Sequence, residues 1–138
     1  MYIFDGAMGT MLQAAGLEEG YCPELFNVER PEVVKNIHTQ YLQHGSDVIT
    51  TNTFGACGLK LEDYNLQDRV KEINITAVKV AKKAIAEFKP SARVAGSMGP
   101  TGRFLQPLGN MSFDSIYDTY REQAEALIEG GVDFIIIE

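Results

Sequence analysis

His44-Gly45-Ser46-Asp47-Val48-Ile49 returns, in altered letters, as Gly130-Gly131-Val132-Asp133-Phe134-Ile135. Both follow the pattern Gly-x-Asp-apolar-Ile, and both read as a glycine that stops a helix and feeds the chain into a buried strand. Helical periodicity surrounds them. Val33, Val34, Ile37 and Tyr41 precede the first copy, and Ile116, Tyr120, Ala124, Leu127 and Ile128 precede the second. Val70, Ile73, Ala77, Val80, Ala81 and Ala84 lie between them. All three sets recur at i, i+3 and i+4. Pro31 marks a helix start and Lys89-Pro90 a helix end.

Apolar extended runs occur at Tyr2–Phe4, Val48–Thr51, Arg93–Gly96 and Phe134–Ile137. They are short, mostly β-branched or aromatic, and lack the polar alternation of a half-exposed strand. The expectation is four parallel strands with intervening helices in one α/β domain spanning residues 1–138. The strands start about 45 residues apart, against roughly 30 for a minimal βα unit, so the surplus sits in loops. Residues 16 to 29 and 100 to 112, rich in Gly, Pro, Asn and Ser, belong on the functional face. The last strand reaches Glu138 without the helix that should follow it, and the chain looks interrupted.

Composition narrows the function classes. With 45% hydrophobic and 22% charged residues and a net charge of −7, the chain reads as soluble and globular. No apolar run approaches the roughly 20 residues of a membrane span, and Met1-Tyr2-Ile3-Phe4 is not a secretory leader, so a cytoplasmic protein is expected. Nineteen acids against 12 basic residues argue against a nucleic-acid partner. The dense basic group, Lys79, Lys82 and Lys83, reads as a solvated helix face.

Candidate site residues follow from position. Asp5 closes the first run and Glu138 the last, at the carboxyl ends of strands where parallel α/β proteins place their chemistry. Two architectures hold four such units: an open doubly wound sheet, or half of a (β/α)8 barrel. A nucleotide-binding sheet should carry Gly-x-Gly-x-x-Gly or a phosphate loop, and neither is present. Gly6-Ala7-Met8-Gly9 and Gly96-Ser97-Met98-Gly99 are only weak phosphate signals. Cys22 and Cys57 lack metal-ligand spacing and read as structural. His38 and His44 fall on different faces of one helix and cannot chelate together; His38 reads as a packing or hydrogen-bonding residue. Tyr117 and Tyr120 read as core or interface aromatics.

Several stretches together resemble one family. Asp5-Gly6-Ala7-Met8-Gly9-Thr10, Pro31-Glu32-Val33-Val34 with Ile37-His38, Gly45 through Gly55, Gly96 through Gly102, and Gly131 through Glu138 match the homocysteine S-methyltransferases in order and spacing. The likeness is greatest to the homocysteine-binding modules of the cobalamin-dependent members and covers essentially the whole chain. It implies the N-terminal half of a (β/α)8 TIM barrel, and methyl transfer to the zinc-activated thiolate of L-homocysteine to give methionine. It also implies a donor such as methylcobalamin charged by methyltetrahydrofolate. The family's zinc cysteines lie on later strands, so no metal ligand and no catalytic residue is expected within these residues, and the segment alone is expected to be inactive.

Carried over residue by residue, the resemblance implies that Asp5 and the amides of Gly6, Ala7 and Met8 receive the amino and carboxylate groups of the substrate. Glu138 would hold its ammonium, Asn52 and Thr53 would line the pocket, and Ser97 would contribute from the third strand. Half a barrel leaves open edges, so the remaining half or a homodimer is the expected partner. A non-catalytic half-barrel that binds an amino acid weakly or serves in assembly stands as the alternative. An aldolase-type lyase using Asp5 and Glu138 is a further one, although no lysine here closes a strand.

Overall fold

A computed structural model describes residues 1–138. Six α-helices and three strands follow the chain as α1 (Gly9–Ala14), α2 (Phe26–Glu29), α3 (Pro31–Gln43), β1 (Val48–Thr50), α4 (Gly58–Leu61), α5 (Val70–Phe88), β2 (Arg93–Met98), α6 (Phe113–Gly130) and β3 (Phe134–Ile137). The sheet is parallel throughout, in the sequential order β1-β2-β3. Such an order has no point where the winding reverses, unlike a doubly wound sheet, and is consistent with part of a (β/α)8 barrel.

The sheet has three strands rather than four. Tyr2–Phe4 runs parallel to β1 but is joined as a single bridge, Phe4 to Val48, with flanking bonds from Val48 N to Ile3 O and Asp5 N to Val48 O. The reason is local: residues 1–4 are all exposed, Met1 fully and Phe4 at 43%, so little burial holds a ladder together there. At the other end β2 runs two residues further than its apolar run, through Ser97 and Met98. Both pair with β3, Ser97 to Ile136 and Met98 to Ile137.

The helix ends follow the sequence signals. Pro31 opens α3, and α5 ends where Lys89 precedes Pro90. Gly131 closes α6 in the left-handed region at φ 91°, with Val132 N bonding back to Leu127 O. A side chain there would be strained. Residues 16 to 29 also contain α2 and a 3-10 turn at Pro23–Leu25, which the loop composition did not announce.

The main core lies between the sheet and the three long helices. Ile49, Val94 and Met98 from the strands meet Leu42 of α3, Val78, Ala81, Ala84 and Ile85 of α5, and Leu127 of α6. The alternate residues, including Thr50, Ser97 and Ile136, turn to the other side and border a cleft. A second cluster of Cys22, Leu25, Ala56, Leu61, Val70 and Ile73 supports the loop after β1. His38 is completely buried on α3 with both ring nitrogens unbonded, so of its two expected roles the structure keeps packing. Its neighbour in sequence, His44, is exposed and bonds Gln40 O through Nδ1. No helix is long and apolar enough to cross a membrane.

Candidate active site

The carboxyl ends of the strands open onto a cleft of about 590 Å³. The turn after Phe4, the turn after β1, the end of β2 and the end of β3 all deliver residues to it. Asp5, Gly6, Ala7, Met8, Asn52, Thr53, Ser97 and Glu138 all border this one cleft, together with Glu24, Thr50 and Phe54. No lysine, arginine or histidine does.

Asp5 is gripped by one residue. Its Oδ2 accepts the Thr50 amide at 2.8 Å and its Oδ1 the Thr50 hydroxyl at 2.7 Å. Burial pushes its pKa above the ordinary 3.8, the two Thr50 bonds pull it back, and the nearby charge of Glu138 raises it further. Glu138 accepts the Ser97 hydroxyl at 2.6 Å, while its own amide bonds Met98 O at 3.0 Å. The two acids therefore face a common space with their orientation already fixed.

The turn between Asp5 and α1 offers donors. The amides of Gly6, Ala7 and Met8 bond no backbone carbonyl, whereas Ala7 O accepts the Tyr41 hydroxyl at 2.7 Å. The same Tyr41 hydroxyl lies 3.1 Å from where a Cβ on Gly6 would sit, so a side chain at that position would press on the residue that anchors the turn.

Asn52 and Thr53 border the cleft with their polar atoms committed elsewhere. Asn52 Nδ2 donates to Pro23 O at 2.9 Å and to Asn27 Oδ1 at 3.2 Å. Thr53 Oγ1 donates to Ser97 O at 2.7 Å and sits 2.6 Å from Thr51 Oγ1. Both are buried and shape the wall rather than present free groups.

Glu24 and Thr50 escape a reading of the sequence. Glu24 is 6% exposed and has no basic partner; its Oε1 accepts the Gly55 amide at 2.8 Å and its Oε2 the Cys22 thiol at 3.4 Å. It lies in the Gly- and Pro-rich stretch before α2, where nothing in the periodicity foretells burial. Thr50 is signalled only by its place, one residue before Thr51-Asn52 at a strand end.

The fit to a metal is poor among these residues. No three His, Cys, Asp or Glu side chains gather as a ligand set. Burial and the Glu24 charge push the Cys22 thiol up to about 12, and burial raises that of Cys57, whereas a zinc ligand must be a thiolate.

Chemically, a base-free cleft with two preset carboxylates suits a cationic group, and the unused amides beside it suit an anionic one. A zwitterionic α-amino acid presents both.

The chain is similar to several known proteins. The sequence profile of the family described as homocysteine S-methyltransferase matches residues 2–138. The methionine synthase of Mycobacterium tuberculosis (strain ATCC 25618 / H37Rv) is 40% identical over 144 residues, covering 97% of this chain and 12% of its own length. That of Mycobacterium leprae (strain TN) is 37% identical over 144 residues, with the same coverages of 97% and 12%. The metallated form of the homocysteine methyltransferase MmuM from Escherichia coli superposes with a TM-score of 0.81 at 28% identity, over 99% of this chain and 53% of that one. Its oxidised form gives 0.80 at 27% identity, over 98% and 51%. The chain thus spans a small part of the two synthases and about half of the solved enzyme.

Proposed function

The chain belongs to the homocysteine S-methyltransferase family, and on that premise we propose that its cleft binds the amino-acid end of L-homocysteine during methyl transfer to sulfur. The observation that carries the reading is that Asp5, after the segment bridged to β1, and Glu138, after β3 at the other edge of the sheet, border one cleft, beside the unused amides of Gly6 to Met8 and with no basic side chain on it.

In this reading Asp5 and Glu138 take the substrate ammonium, and the Gly6–Met8 turn takes its carboxylate. Thr50 and Ser97 keep the two acids aimed, so little reorganisation is needed when substrate arrives. Phe54, half exposed at the cleft, offers an apolar wall to the substrate methylenes. The product is methionine: the thiol gives up its proton, a sulfur electron pair forms the S–CH3 bond, and the pair of the broken donor–CH3 bond stays with the donor. Zinc, which the family uses, would when bound lower the thiol pKa and keep the sulfur nucleophilic. Its ligands are not proposed among residues 1–138, where no three His, Cys, Asp or Glu side chains gather. The proposed methyl donor is methylcobalamin charged by methyltetrahydrofolate.

We further read residues 1–138 as the first half of a (β/α)8 barrel. Met98, Ile116, Tyr117, Ile135 and Ile137 leave an apolar groove between α6 and the open edge of β3. A further βα unit is the proposed cover, and a homodimer is the alternative. These residues alone are proposed to bind substrate without turning it over.

Calorimetric titration of L-homocysteine, with and without zinc, beside an Asp5→Asn variant, tests the reading. Zinc-independent binding that weakens about tenfold or more in the variant is expected, because a charge-assisted bond is lost. A folded wild type that takes no homocysteine overturns it.

A further inference from the structure

The loop from Asn52 to Ala56 has no regular structure, yet every one of its residues is tied outward through its backbone. Asn52 O accepts from Asn27 Nδ2 at 2.7 Å, Thr53 O from Gln123 Nε2 at 2.8 Å, and Phe54 O from the Gly99 amide at 3.0 Å. Gly55 N donates to Glu24 Oε1 at 2.8 Å, and Ala56 O accepts from Asn74 Nδ2 at 2.9 Å. Asn27, Asn74 and Gln123 are wholly buried.

Gln123 stands out among these anchors. It sits on α6, 70 residues from the carbonyl it holds, and also donates to Asn74 Oδ1 at 3.3 Å, so one amide ties α6, α5 and the loop together. Its Oε1 is buried and bonds no other protein group. The carbonyl it grips belongs to Thr53, whose hydroxyl in turn grips Ser97 O, and the Ser97 hydroxyl holds Glu138.

We propose that Gln123 is a positioning residue of the homocysteine site, acting through the Asn52–Ala56 loop to set Thr53, Ser97 and through them Glu138. This rests on the functional reading above and names a residue that touches neither the cleft nor the substrate. An irregular loop bonded through side chains from four other segments and through the Gly99 amide keeps one conformation as long as each bond is present.

Amide hydrogen exchange tests the clamp without ligand. In the wild type, the Gly55, Ala56 and Gly99 amides should be protected like those of α6 around Gln123; exchange at open-loop rates overturns the proposal. Gln123→Met keeps the volume and removes the donor. It should speed exchange at those three amides and weaken homocysteine binding, each about tenfold, the worth of one buried hydrogen bond. Leu127→Val, which loosens the same helix without touching the loop, should lower the unfolding midpoint and leave affinity at the wild-type level. Equal effects of the two variants on affinity overturn the proposal. A wild type that ignores homocysteine while Gln123→Met still frees the loop overturns the reading of the cleft instead.

Discussion

Asp5 owes its geometry to Thr50, which supplies both donors to its carboxylate. Because burial raises the Asp5 pKa and an ammonium ligand needs the ionised form, homocysteine affinity should fall as pH drops from neutrality through that raised value. The ligand ammonium stays protonated across this range, so the fall comes from the protein and not from the ligand amine. A flat affinity profile in a calorimetric pH series contradicts the assignment. Gly99 makes a second residue-scale test. A Cβ there would lie 2.7 Å from both the ring and the carbonyl of Phe54, so Gly99→Ala must push the cleft wall outward. It should cost about 1–3 kcal/mol in urea unfolding and weaken substrate binding. Asp5 and Glu138 could be picked from the sequence because each ends an apolar run. Glu24 and Gln123 could not, since an acid in a loop and an amide on a helix carry no local mark of burial.

At the scale of elements, the repeated aspartate has a physical meaning. Asp47 Oδ2 accepts the Ile3 amide at 3.0 Å, and Asp133 Oδ2 accepts the Val94 amide at 2.8 Å. Each carboxylate caps the start of the preceding parallel segment and pairs with a base nearby, Lys89 at 2.7 Å for Asp47 and Arg93 at 3.4 Å for Asp133. The repeat thus builds the end of the sheet opposite the cleft, which is the stabilising end in such folds. Lys89 holds the Asp47 pKa below 3.8, with help from the Ile3 amide. This contribution is present above the ordinary aspartate range and is lost as pH falls through the lowered value. Asp47→Ala should lower the melting temperature at neutral pH and shrink the wild-type loss on acidification; equal acid sensitivity of the two proteins would contradict this. Helix α6 begins at Ser112, whose Oγ accepts the Ser115 amide at 3.1 Å. Ser112→Ala should cost about 1 kcal/mol by thermal unfolding. The long helices were legible in their periodicity. The short α1, α2 and α4 were not, because a single turn gives too few residues for a period to show.

For the molecule as a whole, His38 also couples fold to pH. Complete burial without a hydrogen-bond partner lowers its pKa from 6.5 to about 4. Below 6.5 the unfolded chain takes up a proton that the folded chain refuses, so stability declines as pH falls and levels off near the folded value. The loss is about 3 kcal/mol in total. Urea midpoints between neutrality and mild acid should show it in the wild type and not in His38→Leu; an equal decline in both would assign it elsewhere. The groove beside β3 acts at this scale too, since Phe113, Tyr117 and Ile137 are each more than half exposed on one side of the molecule.

What the sequence determined by itself was everything written in local patterns: helix periods, the αL glycine at Gly131, buried apolar runs, and the acids that end two of them. These depend on neighbours three or four residues apart, and local sterics and burial suffice to read them. The fate of Tyr2–Phe4, a bridge where a fourth strand was expected, was decided by what packs on it. The commitment of Asn52 and Thr53 to internal bonds, the gripping of Asp5 by Thr50 and the clamp by Gln123 belong to the tertiary structure as well. Each joins residues that are 25 to 70 positions apart. Only the close approach of the Pro23–Leu25 turn and α2, β1, β2, α5 and α6 gives those polar atoms partners, and at that separation no spacing in the chain encodes them.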